Sequence, residues 1–373
     1  MADATMYVDG TLGTGDNDGS EWQHAYQGEA GLQAAFDAVV DGQDTIINIQ
    51  NTFAITSTID VDAGGGALTS NDWLTVVGHI AEVELTTGNY VELDAGDNDL
   101  SGPVVKVADV EAIHFKHIHT KDNHSAADAT DTGFGMASTG YQRGFVFTNC
   151  KSTGCYRGLE CNDSGYSRQV VVVDCDFAGV GSYALYAACY GVMCLDSRFA
   201  TTTGGCVYST LGHAAVRCRY VGGQYGGFAH AMTSSYIDCT FDSQSAAACR
   251  AESTQALLAM YNCVCTPDAA SDDLFYRNAG AIVQDYNFLA ATDDALATGN
   301  SEVDVTVTYA DAAGGDYSIT SILDSSGNNL GALPGKPDYQ DQGTMPGAIG
   351  SPRGVAGGGG GGFSVGSPIT GAF

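Results

Sequence analysis

The chain is short of basic residues, of proline, of tryptophan and of long apolar runs, and each shortage removes a class of function. Only 14 Lys and Arg stand against 44 Asp and Glu in 373 residues, a formal net charge of −30. So acidic a surface repels phosphate backbones and anionic lipid, which excludes nucleic acid and membrane insertion among direct partners. No apolar run reaches the roughly 18 residues of a membrane-spanning helix. The opening residues, MADATMYVDG, have no basic start and no apolar core, so no secretory leader is expected. Glutamate is scarce beside aspartate. Asp belongs to turns and strand ends, and with 50 Gly against 7 Pro the composition argues against an α-rich protein. There is no C-x2-C pair for a zinc knuckle, and no G-x-S-x-G, P-loop or dinucleotide fingerprint.

What the chain does have is a period. The stretch VVVVDCDF (170–177) returns as LDSRF (195–199), VRCRY (216–220), IDCTF (237–241) and YNCVC (261–265). The central residues form a column: Cys150, Cys175, Ser197, Cys218, Cys239, Cys263 and Tyr286, spaced by 25, 22, 21, 21, 24 and 23. Two residues on runs a second column: Ser152, Phe177, Phe199, Tyr220, Phe241, Cys265 and Phe288. One residue before the mark stands a third, of Asn149, Asp174, Asp196, Arg217, Asp238, Asn262 and Asp285. Apolar residues alternate within each copy, as in Val171, Val173, Cys175 and Phe177, which describes a strand with one buried face. A second strand-like segment follows each mark, for example YALYAAC (183–189), GCVYST (205–210), GFAHA (227–231) and LFYRN (274–278).

Twenty to twenty-five residues of short strands without a helix make one turn of a solenoid. The expected fold is all-β: a parallel β-helix, right-handed by the chirality of parallel crossovers. Equivalent residues then sit ~4.8 Å apart on successive turns. All 12 cysteines lie between Cys150 and Cys265. The mark column becomes an interior line of free thiols, because side chains in a ladder run parallel and do not face each other for disulfide bonding.

Leu32, Ala35, Phe36, Val39 and Val40 share a helical face, with Gly42 as the stop, and make an N-terminal capping helix. YVDG (7–10), NDG (17–19), Trp22, Ala25, LQAAFDA (32–38) and GQDTIINI (42–49) resemble the N-terminal cap of right-handed parallel β-helix proteins of the pectin lyase-like superfamily. The segment 316–352 is similar to the closing turns of such proteins. The resemblance implies the fold, and likeness to phage β-helix spikes implies a trimer. It leaves activity open, since the superfamily hosts lyases, hydrolases, epimerases, adhesins and phage spikes. No pectate lyase active-site pattern is present. The expected organisation is a cap (1–45), a β-helix (46–300), a closing segment (301–352), and a Gly-rich linker with terminal peptide (353–373) whose apolar FSVGSPITGAF suits docking on a partner.

Asp174 and Asp176 read as outward neighbours on one strand, ~7 Å apart, a separation that suits the two carboxylates of a glycosidase. Asp196 and Asp238 complete the candidate catalytic set. Tyr183, Tyr186, Tyr190, Tyr208 and Tyr225, with Arg217 and Arg219, are candidates for sugar binding. Alternating Asp and Arg down a ladder is equally how a solenoid avoids stacking like charges. HFKHIH (114–119) puts His117 and His119 on one strand face, as metal ligands can be, with His114 on the other. GDND occurs at 15–18 and 96–99, making Asp16, Asp18, Asp97 and Asp99 candidate Ca2+ ligands, although neither loop follows the EF-hand pattern. No other cofactor is expected.

The leading expectation is a structural bacteriophage virion protein: a spike, fibre or capsid decoration. It would assemble in the host cytoplasm, contact other virion proteins and attach to host-surface polysaccharide. The alternatives are a glycoside hydrolase or polysaccharide lyase using the outward carboxylates, and an extracellular adhesin.

Overall fold

The computed structural model describes residues 4–61, 73–108, 110, 112–124, 130–136, 144–161, 169–266, 268, 275–279, 281–285, 287–289, 305–311, 316–323 and 326–327. The Gly-rich tail and residues 328–352 of the closing segment lie outside them.

The chain is a parallel β-solenoid with three faces. The first face begins with Ala4–Asp9 and continues through Thr45–Gln50, Leu74–Ile80, Ala112–Lys116, Gly144–Thr148 and Val170–Val173. It then passes through 192–195 and 213–216 to Thr233–Ile237, Leu257–Tyr261 and Ala281–Asp285. The second face is a ten-stranded sheet from Phe53–Ala54 to Phe288–Leu289. The third runs from Ile59–Val61 to Phe275–Arg277. Strands Leu185–Leu195 and Gly205–Val216 pass round the corner from third face to first, which joins those two faces into one sheet. Among the described residues pairing is parallel throughout both large sheets except at Val83–Glu84, a short return antiparallel to Leu74–Ile80. An antiparallel pair, Thr306–Asp311 with Asp316–Leu323, follows the coil.

The helix Gly28–Asp37 turns Leu32, Ala35 and Phe36 into the core, beside Ala4–Asp9 and Ile59–Val61. It is shorter than the sequence suggests. Val39 is buried, but Val40 is 59% exposed, and Gly42 (φ 87°) makes the later turn into Thr45–Gln50. Glu29 ties the helix down by accepting bonds from the backbone N–H groups of Thr56 and Ser57, at 2.9 and 2.7 Å.

The interior columns are in place. Cys150, Cys175, Ser197, Cys218, Cys239 and Cys263 are all buried, and the twelve cysteines are free thiols. Phe177, Phe199, Tyr220 and Phe241 are wholly buried; the last three stack at 5.6 and 4.7 Å between ring centres. The final copy is one residue out of the expected register. Val264 pairs with Phe288 and Cys265 with Leu289, so the mark is Asn287 rather than Tyr286, and Leu289 rather than Phe288 ends the aromatic column.

The marks are more than small core residues. In the copies from Asn149 to Asn262 the residue before the mark bends the chain with a left-handed backbone: φ is 49° at Asn149, 52° at Asp174, 50° at Asp196 and 54° at Asp238. Asn and Asp adopt that conformation at the least cost, because their short polar side chains bond locally. The bend leaves the carbonyl two residues before the mark turned inward, and the mark side chain donates to it. Ser197 Oγ reaches Leu195 O at 2.7 Å; the thiols of Cys239 and Cys263 reach Ile237 O and Tyr261 O at 3.3 and 3.4 Å. The same side chains accept from the previous turn: Cys150 N–H donates to Cys175 Sγ (3.3 Å), and Cys175 N–H to Ser197 Oγ (3.1 Å). A Cys239→Ser variant is therefore expected to keep its stability. Cys239→Val, close in volume but without a donor, should lose about 1–3 kcal/mol. Thermal unfolding of the pair separates the roles, and equal losses would mean the thiol acts by volume alone.

The bend also reverses the inside–outside alternation. Val170 and Val172 point inward, Val171 and Val173 outward, and after Asp174 the inward residues are Cys175 and Phe177. Val171 and Val173, placed inside by simple alternation, lie outside. Asp174 and Asp176 accordingly do not share a strand: the first sits in the bend and the second opens a strand of the second face. The same correction applies to His117 (φ 60°), which lies in a bend while His119 belongs to Ile118–Lys121.

Candidate functional site

Two outward features gather the chemistry. The first is an open-sided cleft of about 460 Å³ at the edge between first and second faces. Thr87, Gly88 and Tyr90 form its roof, and Asp174, Asp176, Asp196 and Arg198 its floor. Buried Asn149 fastens the roof: its side-chain oxygen accepts from Gly88 N–H at 3.0 Å, and its nitrogen donates to Asn89 O at 3.3 Å.

Three of the four candidate acids thus meet, each in a different state. Asp176 accepts from Arg198 Nη1 at 2.7 Å. Asp196 is held by both arms of Arg217, each at 2.6 Å, which also anchors an Arg in a left-handed bend. Asp174 makes no side-chain hydrogen bond or ion pair among the described residues. Burial and then the charge of Asp196 push its carboxyl above the usual range, against the pull of Arg217. Burial pushes the Tyr90 phenol up to about 12, with Asp176 adding to the effect. Asp238 lies two turns beyond Asp196, outside this cleft. It accepts from Asn262 Nδ2, and burial raises it to about 6. Arg219 is wholly buried at the base of the cleft, so it offers no exposed sugar-binding group.

The second feature is an aromatic ladder on the third face. Tyr186, Tyr208 and Phe228 occupy one outward register position on successive turns. Tyr186 and Tyr208 lie 5.1 Å apart and 2° from parallel; Tyr208 and Phe228 lie 4.7 Å apart at 27°. Tyr183 abuts Tyr186 and Tyr208 at 5.8 and 5.2 Å. The column continues through Arg250 and Tyr276. The Arg250 guanidinium stands 5.0 Å from the rings of Tyr225 and Tyr276 and 5.1 Å from Phe228. At the other end Arg157 covers Tyr186 at 4.5 Å. Each Arg is paired with a carboxylate: Arg157 with Glu160 at 2.8 Å, and Arg250 with Glu252.

Four of the tyrosine candidates, Tyr183, Tyr186, Tyr208 and Tyr225, therefore come together, on a different face from the aspartates and from Arg217, while the side chain of Tyr190 lies outside those described. The sequence reading missed Phe228, Tyr276, Arg157 and Arg250. Aligning the second segment of each turn would have found most of them, since LYA, VYS, GFA, CRA and FYR carry the ladder residue at their centre.

The loop acids and histidines are engaged locally. Asp18 accepts from Ser20 N–H (2.9 Å) and Asp99 from Ser101 N–H (2.9 Å), Asp16 lies 3.5 Å from His24, and Asp97 (φ 60°) forms a turn. His114 and His119 bond Thr148 and Thr153 at 2.9 and 2.7 Å, and His117 bonds Asn149. Among the described residues no three His, Cys, Asp or Glu side chains form a metal-ligating group.

No family model matches the sequence, and no curated protein matches it. Among solved structures the chain is similar to a native GH136 lacto-N-biosidase from Eubacterium ramulus, with 8% identity and a TM-score of 0.38, over 80% of this chain and 68% of that one. A likeness so loose carries no argument about substrate or catalysis. The class of protein is set by the fold: a parallel β-solenoid.

Proposed function

We propose that this solenoid binds carbohydrate, laying an extended neutral glycan along the aromatic ladder of its third face. The observation that carries the reading is the outward stack of Tyr186, Tyr208 and Phe228, flanked by Tyr183 and Tyr225. Rings stacked on one another turn their edges outward, so a sugar would lie across a row of ring edges and tyrosine hydroxyls, with Phe228 buried behind Arg250. From Tyr186 to Tyr276 the column spans four strand spacings, ~19 Å, enough for several sugars in a row. A neutral ligand is favoured because Arg157 and Arg250 are already matched by Glu160 and Glu252, and a charge of −30 repels polyanions.

Tyr208→Ala is expected to weaken binding at least tenfold, about 1.4 kcal/mol, with a stability loss of about 1–2 kcal/mol because the ring stacks on Tyr186 and Phe228. Calorimetry against a panel of neutral and acidic oligosaccharides checks this. A wild type that binds none of them, or a variant that binds equally well, rejects the reading. Release of reducing ends from a bound glycan would instead favour hydrolysis in the cleft, where Asp174 is biased toward its protonated form beside the ion-paired Asp176. The biological setting we favour is a virion spike, fibre or decoration protein attached to a host-surface glycan. Twelve free thiols suit assembly in a reducing cytoplasm, and copurification with particles tests that setting.

A further inference from the structure

We propose that the outer side of the first face, from Val171 to Val283, is where two copies of this chain meet. The reversal at each bend sends apolar residues outward here. Val173, Leu195, Val216, Ile237 and Tyr261 form one outward column in unbroken register. Beside it run Val171, Met193, Ala214, Ser235, Ala259 and Val283. None of these eleven is charged, in a chain carrying −30. Ile237, Tyr261 and Val283 are 41%, 39% and 46% exposed, and Met232 at the margin is 44% exposed. The patch has definite limits. His114 and Lys116 hold the same positions on an earlier turn, and Asp285 closes the lower end.

A second copy fits this face better than another partner for three reasons. With the third position of each turn (Gln169, Gly191, Gly212, Thr233, Leu257 and Ala281, none charged), six turns at ~4.8 Å and three positions at ~6.8 Å cover roughly 600 Å². Two copies then bury about 1,200 Å², the lower bound for a stable specific interface. The copies share one repeat, so each ridge of side chains on one meets a groove at the same spacing on the other, and a two-fold axis brings the patch onto itself. Finally, the absence of charge lets two strongly acidic molecules approach here without opposing like charges in the contact. The charged bend residues Asp174, Asp196, Arg217 and Asp238 stay at its rim. The aromatic ladder is on the third face and remains open.

Sedimentation velocity on the full chain is expected to show a dimer or larger closed assembly, strengthened by salt as rim repulsion is screened. Ile237→Asp with Val283→Asp, both outward and in separate columns, should weaken it at least tenfold while far-UV dichroism stays as in wild type. Exposed Val83→Asp, on the return strand, serves as the control and should change nothing. A wild type that stays monomeric at its highest soluble concentration overturns the proposal, as does a double variant that assembles equally well. If the double variant does not fold, Ile237→Cys decides. The native thiols are buried, so a short bis-maleimide reports the new one alone. A covalent pair supports the proposal, and an assembled protein giving only single chains overturns it.

Discussion

Phe241→Ala is expected to cost about 3–5 kcal/mol, at the upper end for a buried aromatic. The ring is wholly buried, stacks on Tyr220 at 4.7 Å and 7°, and meets Tyr236 edge-on at 5.2 Å. It also closes against bare backbone, since a Cβ on Gly226 would come within 2.4 Å of it. The hole left behind has no means of closing. Thr240–Asp242 is fixed between the strands Arg219–Gly222 and Val264–Thr266, and neither can move inward without breaking its own ladder. Because each turn of a solenoid is supported only by its neighbours, the loss should also split the unfolding transition. Calorimetry of Phe241→Ala beside the outward Tyr208→Ala tests this. Similar small losses in both would mean that the interior column does not carry the coil.

Acid should destabilise the protein well before its carboxylates titrate. His213 points into the core against Tyr236, with ring centres 4.9 Å apart, and burial lowers its pKa from 6.5 to about 4. An unfolded chain takes up that proton first. The contribution is therefore complete above pH 6.5 and lost as pH falls toward 4, about 2 kcal/mol by pH 5 and about 3 by pH 4. His119, mainly through burial and then the charge of Lys151, and His114, through burial and then Lys116, are also lowered to about 4 and act in the same direction. Asp238, raised by burial to about 6, opposes them: what it contributes is present in acid and is lost as pH rises through 6. His79 and His117, also lowered mainly by burial, act with the other histidines, and Asp122 and Asp174, raised by burial, act with Asp238; the five histidines leave a net loss in acid. Urea unfolding at pH 7.5 and pH 5 should show it, and His213→Leu should remove about 2 kcal/mol of the difference. A wild type equally stable at both values would refute the account.

The coil was legible in the sequence because its interior columns repeat chemically: a thiol or hydroxyl at the mark and an aromatic two residues on. The outer surface was harder to read, for a local reason. A simple alternation carried through VVVVDCDF assigns Val171, Val173, Cys175 and Phe177 to one side, whereas the left-handed backbone at Asp174 shifts the parity by one. With valines at both parities, composition could not reveal the slip. That slip hid the outward apolar face and made Asp174 and Asp176 look like strand neighbours. The last copy was misplaced because Tyr286 resembles the aromatic column, while the hydrogen-bonding role of the mark is filled by Asn287, which accepts from Cys263 N–H at 2.8 Å. The tyrosines were legible as candidates for stacking on a sugar. Their alignment into a ladder with Phe228 and Arg250 depends on a corner that sequence spacing blurs, since turns there differ by several residues.

The line of thiols gives the folded and unfolded chain opposite fates in air. Closed, the coil keeps all twelve sulfurs away from oxidants, and burial raises the Cys155 and Cys206 thiols to about 11 and 12, too high to form a reactive thiolate at neutral pH. Opened, the same chain carries twelve ordinary thiols within 116 residues, free to cross-link in combinations the coil cannot accommodate. Unwinding is then a one-way event outside a reducing environment: the ladder protects itself only for as long as it stays shut.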